Sequence, residues 1–115
     1  MNVRLALHRI LRKLQRTLTV GPVPLETAFV PAVPGVLRKD TVYLVTEEND
    51  PWTVVMRCPC GCSEALYMSL IKGSPRWAFE YHPDGTVSLH PSVWRTGGCR
   101  SHFFLRKGRI SWCRA

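Results

Sequence analysis

A chain of 115 residues has room for one domain with one modest core. Its hydrophobic fraction of 45% excludes a disordered tail, and no apolar run approaches the ~20 residues of a membrane span. The net charge of +8 favours polyanions or acidic protein surfaces as partners and says nothing about fold.

The basic residues gather at the two ends. Residues 1–18 hold five Lys or Arg and no acid, residues 19–50 hold two against five acids, and residues 51–115 hold nine against three. In the first segment Val3, Leu7, Ile10, Leu11, Leu14 and Leu18 recur at helical period, with Arg4, His8, Arg9, Arg12, Lys13 and Arg16 around them. This predicts a basic amphipathic helix over residues 1–18 that packs its leucines on the domain or on a partner. The same residues also suit a membrane surface or nucleic acid. A targeting peptide fits less well, because serine richness and a small-residue cleavage site are missing.

Residues 19–40 carry Pro22, Pro24, Pro31 and Pro34 beside Gly21 and Gly35, a spacing that forbids a helix. They predict an extended arm over the domain surface, partly packed through Phe29, Val30, Val33, Val36 and Leu37.

From Thr41 the pattern turns to period two and β-branched residues, which predicts a β domain over residues 41–115. Strands are expected at 41–46, 52–57, 65–71, 77–81, 86–89, 103–106 and 109–112. A polar loop is expected over residues 47–51. His82-Pro83-Asp84-Gly85 and Lys107-Gly108 are hairpin signals, since Pro presets φ and Gly supplies φ > 0. The expected class is therefore mostly β (α+β): a small zinc-stapled domain of antiparallel hairpins with an N-terminal amphipathic helix.

The zinc expectation comes from Arg57-Cys58-Pro59-Cys60-Gly61-Cys62-Ser63, which places three of the five cysteines in a turn-forming segment. Cys99-Arg100-Ser101-His102 adds a Cys-x-x-His pair some forty residues on. Two ligand pairs on separate turns meet the needs of a tetrahedral structural zinc site. The metal candidates are thus Cys58, Cys60, Cys62, Cys99 and His102. The Cys-x-Cys spacing leaves open which two of Cys58, Cys60 and Cys62 join Cys99 and His102. Ordinary buried thiols are disfavoured by the Pro and Gly neighbours, and a disulfide framework by the odd count. His82 and His90 are weaker candidates, and Cys113 is expected to pack.

The cysteine turn, Trp77, Asp84-Gly85-Thr86-Val87-Ser88-Leu89, Pro91-Ser92-Val93-Trp94, Cys99-Arg100-Ser101-His102-Phe103-Phe104 and Arg106-Lys107-Gly108-Arg109-Ile110-Ser111-Trp112-Cys113 occur in this order. Over residues 28–113 they resemble a bacterial family of small zinc-binding proteins. That family is encoded in operons with ubiquitin-like proteins, activating and conjugating enzyme homologues, and JAB-type peptidases. Ser63 stands where the family pattern has glycine. The resemblance implies Zn2+, a cytoplasmic protein, ubiquitin-like conjugation proteins as partners, and a setting in antiviral defence.

Two function classes follow. The first is a non-catalytic zinc adaptor or ligase-like subunit, docking through the hairpin from Phe103 to Trp112. The alternative is a nucleic-acid-binding zinc module, since Trp77, Trp94, Phe103, Phe104 and Trp112 lie among arginines as on a single-strand platform. No intrinsic catalytic activity is expected, because no carboxylate pair stands near a nucleophile. The one route to chemistry is a spare cysteine of lowered pKa that could carry a thioester.

Overall fold

The computed structural model describes residues 23–73 and 76–113. Nine strands make three sheets. β1 (Glu26–Val30), β2 (Thr41–Glu47), β3 (Asp50–Arg57) and β4 (Ala65–Ser69) lie in that order, with β1 parallel to β2 and the other pairs antiparallel. β5 (Ala78–Tyr81) and β6 (Val87–His90) form an antiparallel pair. β7 (Val93–Trp94), β8 (His102–Arg106) and β9 (Arg109–Trp112) form an antiparallel trio with β8 in the middle.

The expected α+β class is corrected to all-β: no helix occurs among the described residues, and so none there is long and apolar enough to cross a membrane. The helical periodicity behind that expectation belongs to residues 1–18, where the expected helix lies outside the described residues. Antiparallel hairpins do not account for every pairing either. Within the expected arm, Glu26–Val30 lies parallel to β2, and the Glu26 amide donates to the Asp40 carbonyl at 2.9 Å.

Alternation decides which side chains enter the core. From the first sheet, Val42, Leu44, Val54, Met56, Leu66 and Met68 share one buried cluster with Val87, Leu89, Val93, Phe103 and Leu105 of the other sheets. On the opposite face of the first sheet Tyr43, Val45 and Val55 are buried, with Ala28 and Val30 of the neighbouring β1 and Leu37 packed against them. Burial on both faces explains why β2 reads as a nearly continuous apolar run.

Two turns are tighter than the sequence suggests or more constrained. Glu48 and Asn49 have φ of 49° and 70°, so β2 and β3 are joined by a two-residue turn whose twist matches its strands. The expected polar loop is therefore mostly strand. At the β8–β9 turn Lys107 and Gly108 have φ of 48° and 73°. Gly108 donates to the Val87 carbonyl at 2.9 Å and accepts from the Leu25 amide at 2.8 Å. A Cβ on Gly108 would stand 3.0 Å from the Leu25 carbonyl oxygen, so this turn has no room for a side chain.

Candidate metal centre and serine–histidine pair

β3 runs directly into the cysteine turn. The Cys58 amide donates to the Glu64 carbonyl at 2.8 Å, and the Gly61 amide to the Cys58 carbonyl at 3.3 Å. Gly61 has φ of 92° and Ser63 of 69°, both left-handed. Ser63 occupies a conformation that glycine adopts without strain, and the Arg57 guanidinium donates to its hydroxyl at 3.0 Å.

This turn faces the loop between β7 and β8. The sulfurs of Cys58, Cys60, Cys62 and Cys99 all lie within 4.8 Å of one another, with Cys58 buried and the other three exposed. Cys58 Sγ stands 3.4 Å from Cys60 Sγ and 3.5 Å from Cys99 Sγ. A tetrahedral ion with metal–sulfur bonds of about 2.3 Å separates its sulfurs by about 3.8 Å, so the four thiols fit one metal ion with slight adjustment. The donor set is all sulfur, which suits a soft or borderline ion.

Two side chains support the thiolate state this requires. Ser101 Oγ lies 3.0 Å from Cys99 Sγ and 3.3 Å from Cys58 Sγ. Hydrogen bonds from the Ser101 hydroxyl and amide lead in drawing the Cys99 thiol down to about 5. The Ser101 hydroxyl, then Cys58, also lowers the Cys60 thiol. Cys62 moves the other way: the Glu64 backbone favours its thiolate, but desolvation and the neighbouring sulfurs push it up to about 11. Arg95 Nη1 donates to Cys99 Sγ at 3.1 Å and to Cys62 Sγ at 3.5 Å. It places a positive charge where four thiolates and a dication would leave two negative charges.

The fifth metal candidate stands elsewhere in this arrangement. His102 opens β8 and directs Nε2 to the Ser92 hydroxyl at 2.9 Å. It lies outside the four-sulfur group. The pairing of β7 with β8 explains the contact. Trp94 is the register partner of His102 and Val93 of Phe103. Val93, Phe103 and Leu105 take the core face, which leaves Trp94 and His102 on the other. Trp94 stacks on the imidazole with ring centroids 4.8 Å apart and planes 11° from parallel. The Trp77 indole donates from Nε1 to the Ser92 carbonyl at 3.3 Å, which fixes the backbone beneath the hydroxyl.

A second serine–histidine contact is of a different kind. His82 Nε2 lies 2.7 Å from Ser88 Oγ, but Ser88 is buried and its oxygen also accepts the Lys107 amide at 2.8 Å. That hydroxyl joins two turns and is closed to a substrate. His90 meets the Glu80 carboxylate at 3.3 Å across β5–β6. Cys113 is half-buried and donates its amide to the His102 carbonyl at 2.8 Å.

Sequence reasoning did not single out Ser92 as a partner of His102. Its hydroxyl and His102 are ten residues apart, and β7, the two-residue strand that joins them, carries no strand pattern of its own. The usable signal was a serine two residues ahead of a tryptophan, opposite a histidine at a strand start.

A family model described as bacterial ubiquitination-like system serine protease (BubE) matches residues 29–113 of the chain. No curated protein and no solved structure matches it. The ordered motifs from the cysteine turn to the last hairpin all lie within the matched stretch, and the chain belongs to the BubE family of the bacterial ubiquitination-like system.

Proposed function

We propose that this chain is a zinc-stapled serine peptidase acting within a bacterial ubiquitin-like conjugation pathway, with Ser92 as nucleophile and His102 as general base. The observation that carries this reading is the 2.9 Å contact between Ser92 Oγ and His102 Nε2 on the solvent side of β7–β8. The family's description as a serine protease supports it.

The chemistry follows from the pair. His102 Nε2 accepts the Ser92 proton as Oγ bonds to the substrate's carbonyl carbon, and the carbonyl electron pair moves to oxygen. When the tetrahedral intermediate collapses, the carbon–nitrogen bond breaks and His102 returns the proton to the leaving amine. Water, deprotonated by His102, then bonds to the acyl carbon, the Ser92 Oγ–carbon bond breaks, and His102 returns the proton to Oγ. Trp94 restrains the imidazole through stacking, so the base keeps its position between the two steps.

Cys58, Cys60, Cys62 and Cys99 would hold the zinc. Its contribution there is structural, since a four-thiolate set closes the coordination sphere and ties the loop before His102 to the turn after β3.

The test is covalent labelling of folded, metal-loaded protein with an alkyl fluorophosphonate, mapped by mass spectrometry. A single adduct on Ser92 is expected, absent in Ser92→Ala and slowed at least ~100-fold in His102→Ala. A folded protein that takes no label on Ser92 overturns the peptidase reading. The non-catalytic adaptor then replaces it, supported by Arg106 lying 4.2 Å from the Phe104 ring centroid on the last hairpin. The nucleic-acid alternative rests on the net charge of +8 and on the aromatic residues interspersed with arginines.

A further inference from the structure

β7 is an edge strand, and Ser92, which meets His102 of β8, immediately precedes it. In an antiparallel pair, successive residues direct their backbone N–H and C=O alternately toward and away from the partner strand. The Arg95 amide donates to the Ser101 carbonyl at 2.8 Å, so Arg95 points toward the β8 side. Trp94, one residue earlier, is the register partner of His102 and belongs to the non-hydrogen-bonded class. Its N–H and C=O therefore face the open side of the sheet. Cys113 donating to the His102 carbonyl confirms the phase, because His102 directs its own backbone groups toward β9.

Ser92 precedes β7, and its carbonyl is occupied by the Trp77 indole at 3.3 Å. The outward donor–acceptor pair is thus concentrated on Trp94, two residues or about 7 Å along the strand from the nucleophile. The Trp94 side chain is 65% exposed and provides an apolar wall there.

We infer that the substrate is an extended peptide segment that adds to the edge of β7, antiparallel to it, and is recognised through its main chain at Trp94. This rests on the peptidase reading and adds to it the substrate's conformation and register. Antiparallel addition satisfies both Trp94 groups with one substrate residue, whereas parallel addition divides them between two residues. Because the strands run in opposite directions, that residue lies two positions N-terminal to the residue at Ser92. A folded helix or a tightly looped segment cannot make these contacts, so cleavage is confined to extended, accessible stretches.

Wild-type, metal-loaded protein tests this with four serine-reactive probes. One is the alkyl fluorophosphonate. The others are an acetylated tri-alanine diphenyl phosphonate, the same probe N-methylated at the third residue from the phosphonate end, and one N-methylated at the second. Each peptidyl probe forms a Ser92 Oγ–phosphorus bond and releases phenol, with His102 passing the serine proton to the leaving phenoxide. Methylation at the third residue removes the N–H that bonds the Trp94 carbonyl and should slow labelling about tenfold, the effect of one lost hydrogen bond. Methylation at the second residue removes an N–H that points away from β7 and should change the rate less than about threefold. If all three peptidyl probes label Ser92 equally fast, or only second-residue methylation slows it, the edge inference is overturned while the peptidase reading stands. If even the fluorophosphonate leaves Ser92 unlabelled, both are overturned.

Discussion

Arg95 donates its backbone N–H to the Ser101 carbonyl at 2.8 Å, and this hydrogen bond closes the loop that holds Cys99 between Trp94 and His102. The same loop is fastened at its tip, where the Arg95 guanidinium and the Ser101 hydroxyl both reach the Cys99 sulfur. The sulfur cluster and the serine–histidine pair therefore share one short piece of backbone. Whatever organises the cysteines also sets the ends of β7 and β8.

Metal removal should accordingly disable Ser92 without touching it. Stripping zinc with a thiol-reactive mercurial and a chelator, then reducing, is expected to slow fluorophosphonate labelling of Ser92 at least tenfold. Adding back one equivalent of zinc should restore it. Labelling that proceeds at the original rate in the stripped protein would separate the two constellations.

The ligand set can be read from metal content alone. Purified protein should carry about one zinc per chain, and Cys58→Ser, Cys60→Ser, Cys62→Ser and Cys99→Ser should each retain much less under mild chelation. His102→Ala should keep its zinc, because Nε2 serves Ser92. Loss of zinc from His102→Ala with retention in one of the cysteine variants would instead favour a site of three cysteines and a histidine.

The two serine–histidine contacts should separate by measurement. Ser88→Ala leaves the Lys107 amide and the His82 ring short of a buried partner, which costs about 1–3 kcal/mol and lowers Tm. Labelling of Ser92 in the folded variant should persist. Ser92→Ala should change stability by no more than about 0.5 kcal/mol and remove labelling entirely. The reverse pattern would assign the chemistry to Ser88.

Gly108→Ala tests how the last hairpin is seated. Its left-handed φ costs about 1–2 kcal/mol for any residue with a Cβ, and the Leu25 carbonyl at 3.0 Å adds to that. Thermal unfolding should begin at least ~5 °C lower. Gly97→Ala meets nothing within 4 Å and lacks a positive φ, so it should stay within about 0.5 kcal/mol. Equal effects from the two substitutions would refute this account of the turn.

Much of this molecule is written in local chemistry. Runs of β-branched and apolar residues are enough to mark β2 and β3, because such side chains suit a pleated strand, and here both faces are buried. Asp84-Gly85 and Lys107-Gly108 announce their turns because few residues tolerate the φ those turns need. The cysteine turn names its own ligand candidates, since Pro59 and Gly61 gather three thiols in one turn, with Cys58 anchored in the core and the other two exposed. What the tertiary structure decided depends on partners far along the chain. The period-3.6 leucines at the N-terminus suggested an α+β class, yet the described domain is built from strands alone. Glu26–Val30 becomes a strand because β2 offers it a parallel edge, which its proline-rich surroundings do not reveal. His102 and Cys99 look like a ligand pair in sequence. Strand pairing turns the imidazole to Ser92, while the loop turns the sulfur to Cys58, Cys60 and Cys62. Three residues of spacing cannot encode that divergence, because it is set by which face of β8 is buried and by the register of a two-residue strand.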